Sequence, residues 1–326
     1  MAAITTAGLT KRYGELTAVD TLDLTIEEGE VFGFLGPNGA GKSTTINMLL
    51  DFTRPTAGSA TVLGYDAQDE IDEISPRVGV LPEGFDIYPR LSGRRHVEFA
   101  IETKAADDDP DRILERVGLS ADDASRPAGD YSKGMRQRLA TGMALVGDPD
   151  LLIMDEPSSG LDPHGIREMQ EIVRAEAERG TTVFFSSHIL EHVEAVCDRV
   201  GVLNEGELVA VDTIEGLRES IGGGGTMELT LAESAAERRS TVASIAGIAD
   251  VTASGRTLEC TVTDSAAKAS VVTALDDAGA TIQDMRIEDV SLESLFTTLT
   301  NGGGEPEAEA AGASAVAEAT GTEVAE

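Results

Sequence analysis

No stretch of the chain approaches the ~18–20 uninterrupted apolar residues that a membrane-spanning helix needs, although hydrophobic residues fill 41% of its 326 positions. That share suits ordinary buried cores and excludes a span. The opening Met1-Ala2-Ala3-Ile4-Thr5-Thr6 has no charged head followed by a long apolar core, so no secretory signal is expected. Only two cysteines occur, Cys197 and Cys260, too far apart in sequence to suggest a disulfide framework. Lysine is scarce: five of the 25 basic residues are Lys (Lys11, Lys42, Lys104, Lys133, Lys268). Against them stand 59 Asp and Glu, for a net charge of −34. Such a surface repels nucleic-acid phosphates and anionic lipid heads, so no nucleic-acid partner is expected. The acidity runs along the whole chain, the pattern of a halophile's protein in molar salt that screens self-repulsion. Together these features point to a cytoplasmic protein.

The length suits two domains with appendages. Residues 1–220 carry every phosphate-site motif. The run Ile221-Gly222-Gly223-Gly224-Gly225-Thr226 reads as a flexible break. Residues 226–299 read as a second unit: a strand at Met227–Leu231, a helix over Glu233–Ile245, and strands at Asp250–Ala253 and Thr257–Val262. A helix over Ser265–Ala278, a strand at Thr281–Ile287 and a short helix at Leu292–Leu299 follow. The order β-α-β-β-α-β predicts a small α+β, ferredoxin-like domain. Cys260, mid-strand, reads as a core residue. Residues 300–326 hold no aromatic and no basic residue, which predicts a disordered acidic tail.

Residues Gly36-Pro37-Asn38-Gly39-Ala40-Gly41-Lys42-Ser43-Thr44 form a complete phosphate-binding loop. The apolar run Glu30–Leu35 before it is strand-like, and Thr45–Leu50 after it is helix-like, which is the context such a loop requires. Its glycines let successive N–H groups turn toward phosphate oxygens, and the helix N-terminus adds positive potential. Lys42 is expected on the β- and γ-phosphates of ATP, and Ser43 on Mg²⁺. Downstream, Leu151-Leu152-Ile153-Met154-Asp155-Glu156 is a buried parallel strand ending in two carboxylates. Asp155 is placed to hold Mg²⁺, and Glu156 to orient or deprotonate the attacking water.

Between these elements lies Tyr131-Ser132-Lys133-Gly134-Met135-Arg136-Gln137-Arg138. With it, the chain resembles the ATP-binding subunit of an ABC transporter. The segment resembles that family's signature, with Tyr131 where Leu is usual and Lys133 where Gly is usual. The resemblance implies an α/β P-loop NTPase fold, the ABC cassette, with a helical subdomain at about 84–150. It implies that Ser132 and Gly134 bind the γ-phosphate held by the opposite subunit, that Tyr13 stacks on adenine, and that Asp162 lies in a loop crossing the dimer interface. It makes His188 a switch residue at the γ-phosphate, beside Lys42 and Glu156 as catalytic residues. Glu83 stands where Gln is usual, an expected Mg²⁺ ligand with Ser43 and Asp155 that adds negative charge. The text around Leu81-Pro82-Glu83-Gly84 and Ser291–Phe296 resembles the drug, antibiotic and polysaccharide exporter subgroup.

The implied partners are a second copy of the chain and integral membrane permease subunits, with the ATPase held at the cytoplasmic face of the membrane. The implied function is an ATPase that powers export by dimer closure and opening. Two alternatives stand beside it: an importer ATPase with residues 226–299 as a regulatory sensor, and a soluble ABC-type ATPase outside transport.

Overall fold

The computed structural model describes residues 1–220 and 225–289. The break at 221–224, the short helix expected at Leu292–Leu299 and the acidic tail lie outside the described residues.

Two twelve-residue strands open the chain, β1 (Ala2–Tyr13) and β2 (Leu16–Glu27). They pair antiparallel, and with β4 (Ala57–Val62) and β5 (Tyr65–Asp66) form a sheet of order β2-β1-β4-β5. The central sheet uses β3 (Val31–Leu35), β6 (Val78–Leu81), β7 (Leu151–Met154), β8 (Thr182–Ser187), β9 (Arg199–Asn204) and β10 (Glu207–Thr213) in the order β10-β9-β3-β8-β7-β6. All its neighbours run parallel except β10, which turns back along β9. Strands β3, β7 and β8 are buried throughout because apolar residues fill both of their faces. Alternate side chains therefore enter different cores. Phe32, Phe34, Leu151, Ile153 and Phe184 face the core shared with the antiparallel sheet. Leu35, Leu152, Met154, Val183 and Phe185 face the core shared with the helices.

The aromatic centre of the first core is Phe184, whose ring lies 6.1 Å from Phe32 and 5.2 Å from Phe34. Phe184→Ala is expected to lower unfolding free energy by ~3–5 kcal/mol through lost burial and a residual cavity. Urea unfolding followed by circular dichroism checks this, and a loss below ~1 kcal/mol contradicts it.

A helical layer occupies the stretch between β6 and β7, with helices Gly93–Lys104, Pro110–Arg116, Ala121–Ser125 and Lys133–Ala144. Its starts are written in the sequence. Ser92, Asp109, Ser120 and Ser132 each accept a backbone N–H at a helix N-terminus, and Ser120 with Asp123 completes a capping box.

The second unit contains β11 (Gly225–Leu231), β12 (Ile248–Ser254), β13 (Thr257–Val262) and β14 (Ile282–Asp289), in an antiparallel sheet of order β12-β13-β11-β14. Helix Ser265–Asp277 covers its apolar face, with Val271 and Leu275 fully buried. Cys260 lies in this core at 0% exposure, and burial pushes its thiol pKa up to about 11. The helix expected over Glu233–Ile245 is instead a 3₁₀ turn, Ala235–Glu237, and a short helix, Arg239–Ala243. Ser234 makes no side-chain cap there, and the β-branched and hydroxylated Ser240-Thr241-Val242 favours helix weakly.

Candidate functional site

The carboxyl ends of four central strands meet at one edge of the sheet. Leu35, the last residue of β3, lies opposite Ser187 of β8, while Met154 of β7 lies opposite Phe185 of β8 and Leu81 of β6. The chain leaving these ends carries the loop at 36–44, Glu83, Asp155 with Glu156, and His188. Parallel sheets collect ligands along this edge.

The loop at 36–44 folds tightly over β9. A Cβ on Gly36 would lie 2.5 Å from the Leu203 carbonyl oxygen, and one on Gly41 would lie 2.3 Å from that of Ala18, at a φ of +109°. Only glycine satisfies both positions. The loop feeds directly into helix Lys42–Leu49. Gly36 and Ala40 are buried, Pro37 and Thr44 half-buried, and Asn38, Gly39 and Ser43 exposed. Lys42 is buried, and its Nζ donates to the carbonyl oxygens of Gly36 (2.7 Å) and Pro37 (3.3 Å).

Lys42 also meets the carboxylate pair. Its Nζ lies 3.2 Å from Glu156 Oε1, and His188 Nδ1 lies 2.8 Å from Glu156 Oε2. Lys42 and Glu156 are 6% and 7% exposed, so their ion pair is held out of water. The Oε1 atom of Glu156 is buried with an ionic neighbour but no aligned hydrogen bond, which leaves an acceptor direction open. The Glu156 carboxylate can accept from His188 Nδ1–H, and the His188 side chain is 38% exposed.

The structure adds Ser186, which the sequence did not single out. Its hydroxyl donates to Asp155 Oδ1 at 2.5 Å and accepts from the Glu156 backbone N–H at 2.9 Å. One buried hydroxyl thereby fixes both carboxylates. It also helps hold Glu156 at a φ of +49°, a left-handed torsion that costs a non-glycine residue of order 1–3 kcal/mol. The available signal was a pair of hydroxyl residues, Ser186-Ser187, closing an otherwise apolar strand. Nearby, Ser158 Oγ lies 2.7 Å from His192 Nδ1, and burial pushes the His192 pKa below the usual imidazole value, so this ring is neutral at pH 7.

A cavity of about 660 Å³ opens beside the carboxylates, with Glu83, Lys133, Gln137, Asp155, Glu156 and Ser159 in its lining. Glu83 is exposed there and shares the space with Asp155. Other expected residues make local contacts instead. Ser132 and Asp162 cap the helices Lys133–Ala144 and Pro163–Glu178, accepting from Met135 N–H (3.2 Å) and Gly165 N–H (2.7 Å). Gly134 follows in the first turn, and Tyr13 sits half-exposed at the end of β1, its ring centroid 5.0 Å from Lys11 Nζ. Among the described residues, no hydrogen bond or ion pair joins Tyr13, Ser132, Gly134 or Asp162 to Lys42, Glu156 or His188.

The chain is similar to known proteins. Residues 19–159 match the family model described as "ABC transporter". The linearmycin resistance ATP-binding protein LnrL of Bacillus subtilis is 33% identical over 298 residues, covering 89% of this chain and 96% of that protein. The daunorubicin resistance ATP-binding protein DrrA3 of Streptomyces coeruleorubidus is 36% identical over 305 residues, covering 91% and 96%. The bacitracin transport ATP-binding protein BcrA of Bacillus licheniformis is 42% identical over 212 residues, covering 63% of this chain and 68% of that protein. Among solved structures, an ATP-binding subunit of an ABC transporter superposes with a TM-score of 0.60 at 27% identity, covering 68% of this chain and 93% of that one. A dimeric bacterial ABC transporter cassette, MJ0796, gives 0.59 at 26% identity, covering 65% and 98%. With a phosphate loop, paired carboxylates and a histidine on one sheet edge, and likeness running through nearly its whole length, this chain belongs to the ABC transporter family as an ATP-binding, ATP-hydrolysing subunit.

Proposed function

We propose that two copies of this chain bind two ATP molecules head to tail and drive a membrane exporter. The observation that carries this reading is the separation within one chain: Lys42, Glu156 and His188 form one cluster, while the Ser132 and Asp162 helix caps lie outside it. A second copy, turned about, brings its own caps to the first cluster. Names among the relatives support export of antibiotics or related compounds, since linearmycin and daunorubicin resistance proteins align over nearly the whole chain.

On this reading Lys42 releases the Gly36 and Pro37 carbonyls to hold the β- and γ-phosphates, with loop N–H groups around them. Tyr13, exposed beside the phosphate-loop lobe, stacks on adenine. Glu156 accepts a proton from the attacking water through its open Oε1, while His188 holds Oε2 and contacts the γ-phosphate. The residues present suit Mg²⁺: Ser43 offers an exposed hydroxyl, and Asp155 a carboxylate with one oxygen fixed by Ser186. Ser43 and Asp155, with Glu83, would hold the ion, since among the described residues no three His, Cys, Asp or Glu side chains gather into a metal site. When bound, the ion neutralises charge on the phosphates. Closure then follows from charge shared between two faces, and loss of the γ-phosphate favours opening.

Among the described residues no helix is long and apolar enough to cross a membrane; on this reading the chain docks on permease subunits. Its docking face is the segment Asp86–His96 with the helical subdomain at about 84–150. Tyr88, Leu91 and Phe99 are exposed there beside an apolar groove of about 360 Å³. The ATPase then works peripherally at the cytoplasmic face. Residues 1–220 form the cassette, 226–299 a ferredoxin-like accessory domain, and 300–326 an acidic tail.

Ser132→Ala tests the reading. Its cap loss costs ~1 kcal/mol of stability, monomer ATP affinity stays unchanged, and ATP-driven dimerisation in a Glu156→Gln background is lost. Calorimetry and analytical ultracentrifugation separate the two; equal loss of both rules out a contact made by the opposite subunit.

A further inference from the structure

Two departures from the family's usual pattern introduce charge: Glu83 stands in place of Gln and Lys133 in place of Gly. The fold brings both to the cavity of about 660 Å³ beside the carboxylates, whose lining includes the acidic residues Glu83, Asp86, Asp155 and Glu156 and the basic residues Lys133 and Arg136. Two of the carboxylates are already answered. Lys42 and His188 meet Glu156, and the Ser186 hydroxyl meets Asp155. The side chains of Glu83 and Asp86 make no hydrogen bond or ion pair among the described residues. Glu83 lies two positions beyond the end of β6, and the Asp155 backbone N–H donates to the Leu81 carbonyl at 2.8 Å. The loop carrying Glu83 therefore leaves the sheet directly beside the β7 carboxylates.

Lys133 is the first residue of helix Lys133–Ala144. A cation in a first turn works against the helix dipole, so this residue does not serve its own helix. Its ammonium has no hydrogen bond or ion pair among the described residues, whereas those of Lys11, Lys42 and Lys104 each donate to main-chain carbonyls. It reaches instead to the loop after β7, where a Cβ added at Gly160 would lie 2.1 Å from Lys133 Nζ. An unpaired cation and an unpaired carboxylate thus share one opening. The triphosphate that enters there is itself negative, and an unbalanced Glu83 would repel it.

We propose that Lys133 balances the charge of Glu83 within one chain, so that a loop carrying Glu in place of Gln can sit beside the triphosphate without repelling it. This rests on ATP entering beside these carboxylates, as argued above. The ammonium sits on a flexible four-carbon stem, so the balance needs no fixed geometry between the helical layer and the central sheet.

The test is a double-mutant cycle of Lys133→Gln, Glu83→Gln and the two together, read by calorimetry as affinity for the β,γ-imido analogue of ATP with Mg²⁺. Both side chains are exposed, so each variant keeps its fold. Lys133→Gln alone is expected to weaken binding about two- to fivefold, the size of a partly exposed charge pair. The same substitution in the Glu83→Gln background costs nothing measurable, a rescue that a merely structural role for Lys133 would not give. Added salt shrinks the loss from Lys133→Gln by screening. Arg136→Gln is the control, since Arg136 lines the same cavity about one turn further along the helix. An equal loss from Lys133→Gln in both backgrounds overturns the pairing, and so does an equal coupling of Glu83 to Arg136. A loss confined to ATP-driven dimerisation, with monomer affinity unchanged, overturns a balance made within one chain. A parent chain that binds no analogue overturns the ATP site itself, and the pairing with it.

Discussion

Glu156→Gln lowers ATP turnover by about 10²–10⁴-fold, the usual contribution of a positioned general base, and leaves ATP bound. The amide keeps the size and one acceptor oxygen for His188 Nδ1, now 2.8 Å away, but it cannot take a proton from water. It also releases Lys42, whose Nζ pairs with Glu156 Oε1 at 3.2 Å, so the ammonium turns more readily toward phosphate and affinity for ATP holds or rises. A phosphate-release assay gives the turnover and calorimetry the affinity. Turnover at the parental rate removes Glu156 as the base, and the open Oε1 acceptor would then need another explanation.

Lys42→Ala weakens ATP binding by about 3 kcal/mol, roughly a hundredfold in Kd, because charge-assisted hydrogen bonds to phosphate are lost. The lysine is 6% exposed, and two loop carbonyls hold its ammonium beside the phosphate loop. Alanine neither replaces the cation nor neutralises Glu156, so the carboxylate then faces the phosphates directly. Titration calorimetry with ATP reads the loss. An unchanged Kd refutes the assignment of residues 36–44 as the phosphate loop.

The site elements were legible in sequence where local chemistry dictates them. The loop at 36–44 needs its glycines for backbone shape, and the structure gives Gly36 and Gly41 no room for a Cβ. Leu151–Met154 and Thr182–Phe185 are apolar on both faces, so they announce buried parallel strands, and the residue after each strand end is thereby at the ligand edge. The Ser and Asp caps announce helix starts. What the sequence hid depends on contacts between distant residues. Ser186 looks like strand composition until folding brings its hydroxyl 2.5 Å from Asp155. Arg116 and Glu176 are separated by 60 positions, and each reads as an ordinary surface charge until burial joins them. The paired strands β1 and β2 mix apolar, hydroxyl and charged residues with several register shifts, which breaks the strict alternation that marks a strand. The helix at Arg239–Ala243 is shorter than expected because Ser240-Thr241-Val242 favours helix weakly. The salt reading of the acidic surface gains no support from relatives in Bacillus and Streptomyces, and stands on a net charge of −34 alone.

The central claim is that two copies close on shared nucleotide. The most direct measurement is sedimentation velocity of the Glu156→Gln chain with and without magnesium and ATP, at salt high enough to screen the acidic surface. One chain mass without nucleotide and two chain masses with it is the expected result, reversed when ADP replaces ATP. A single species of one chain mass at saturating ATP contradicts the account.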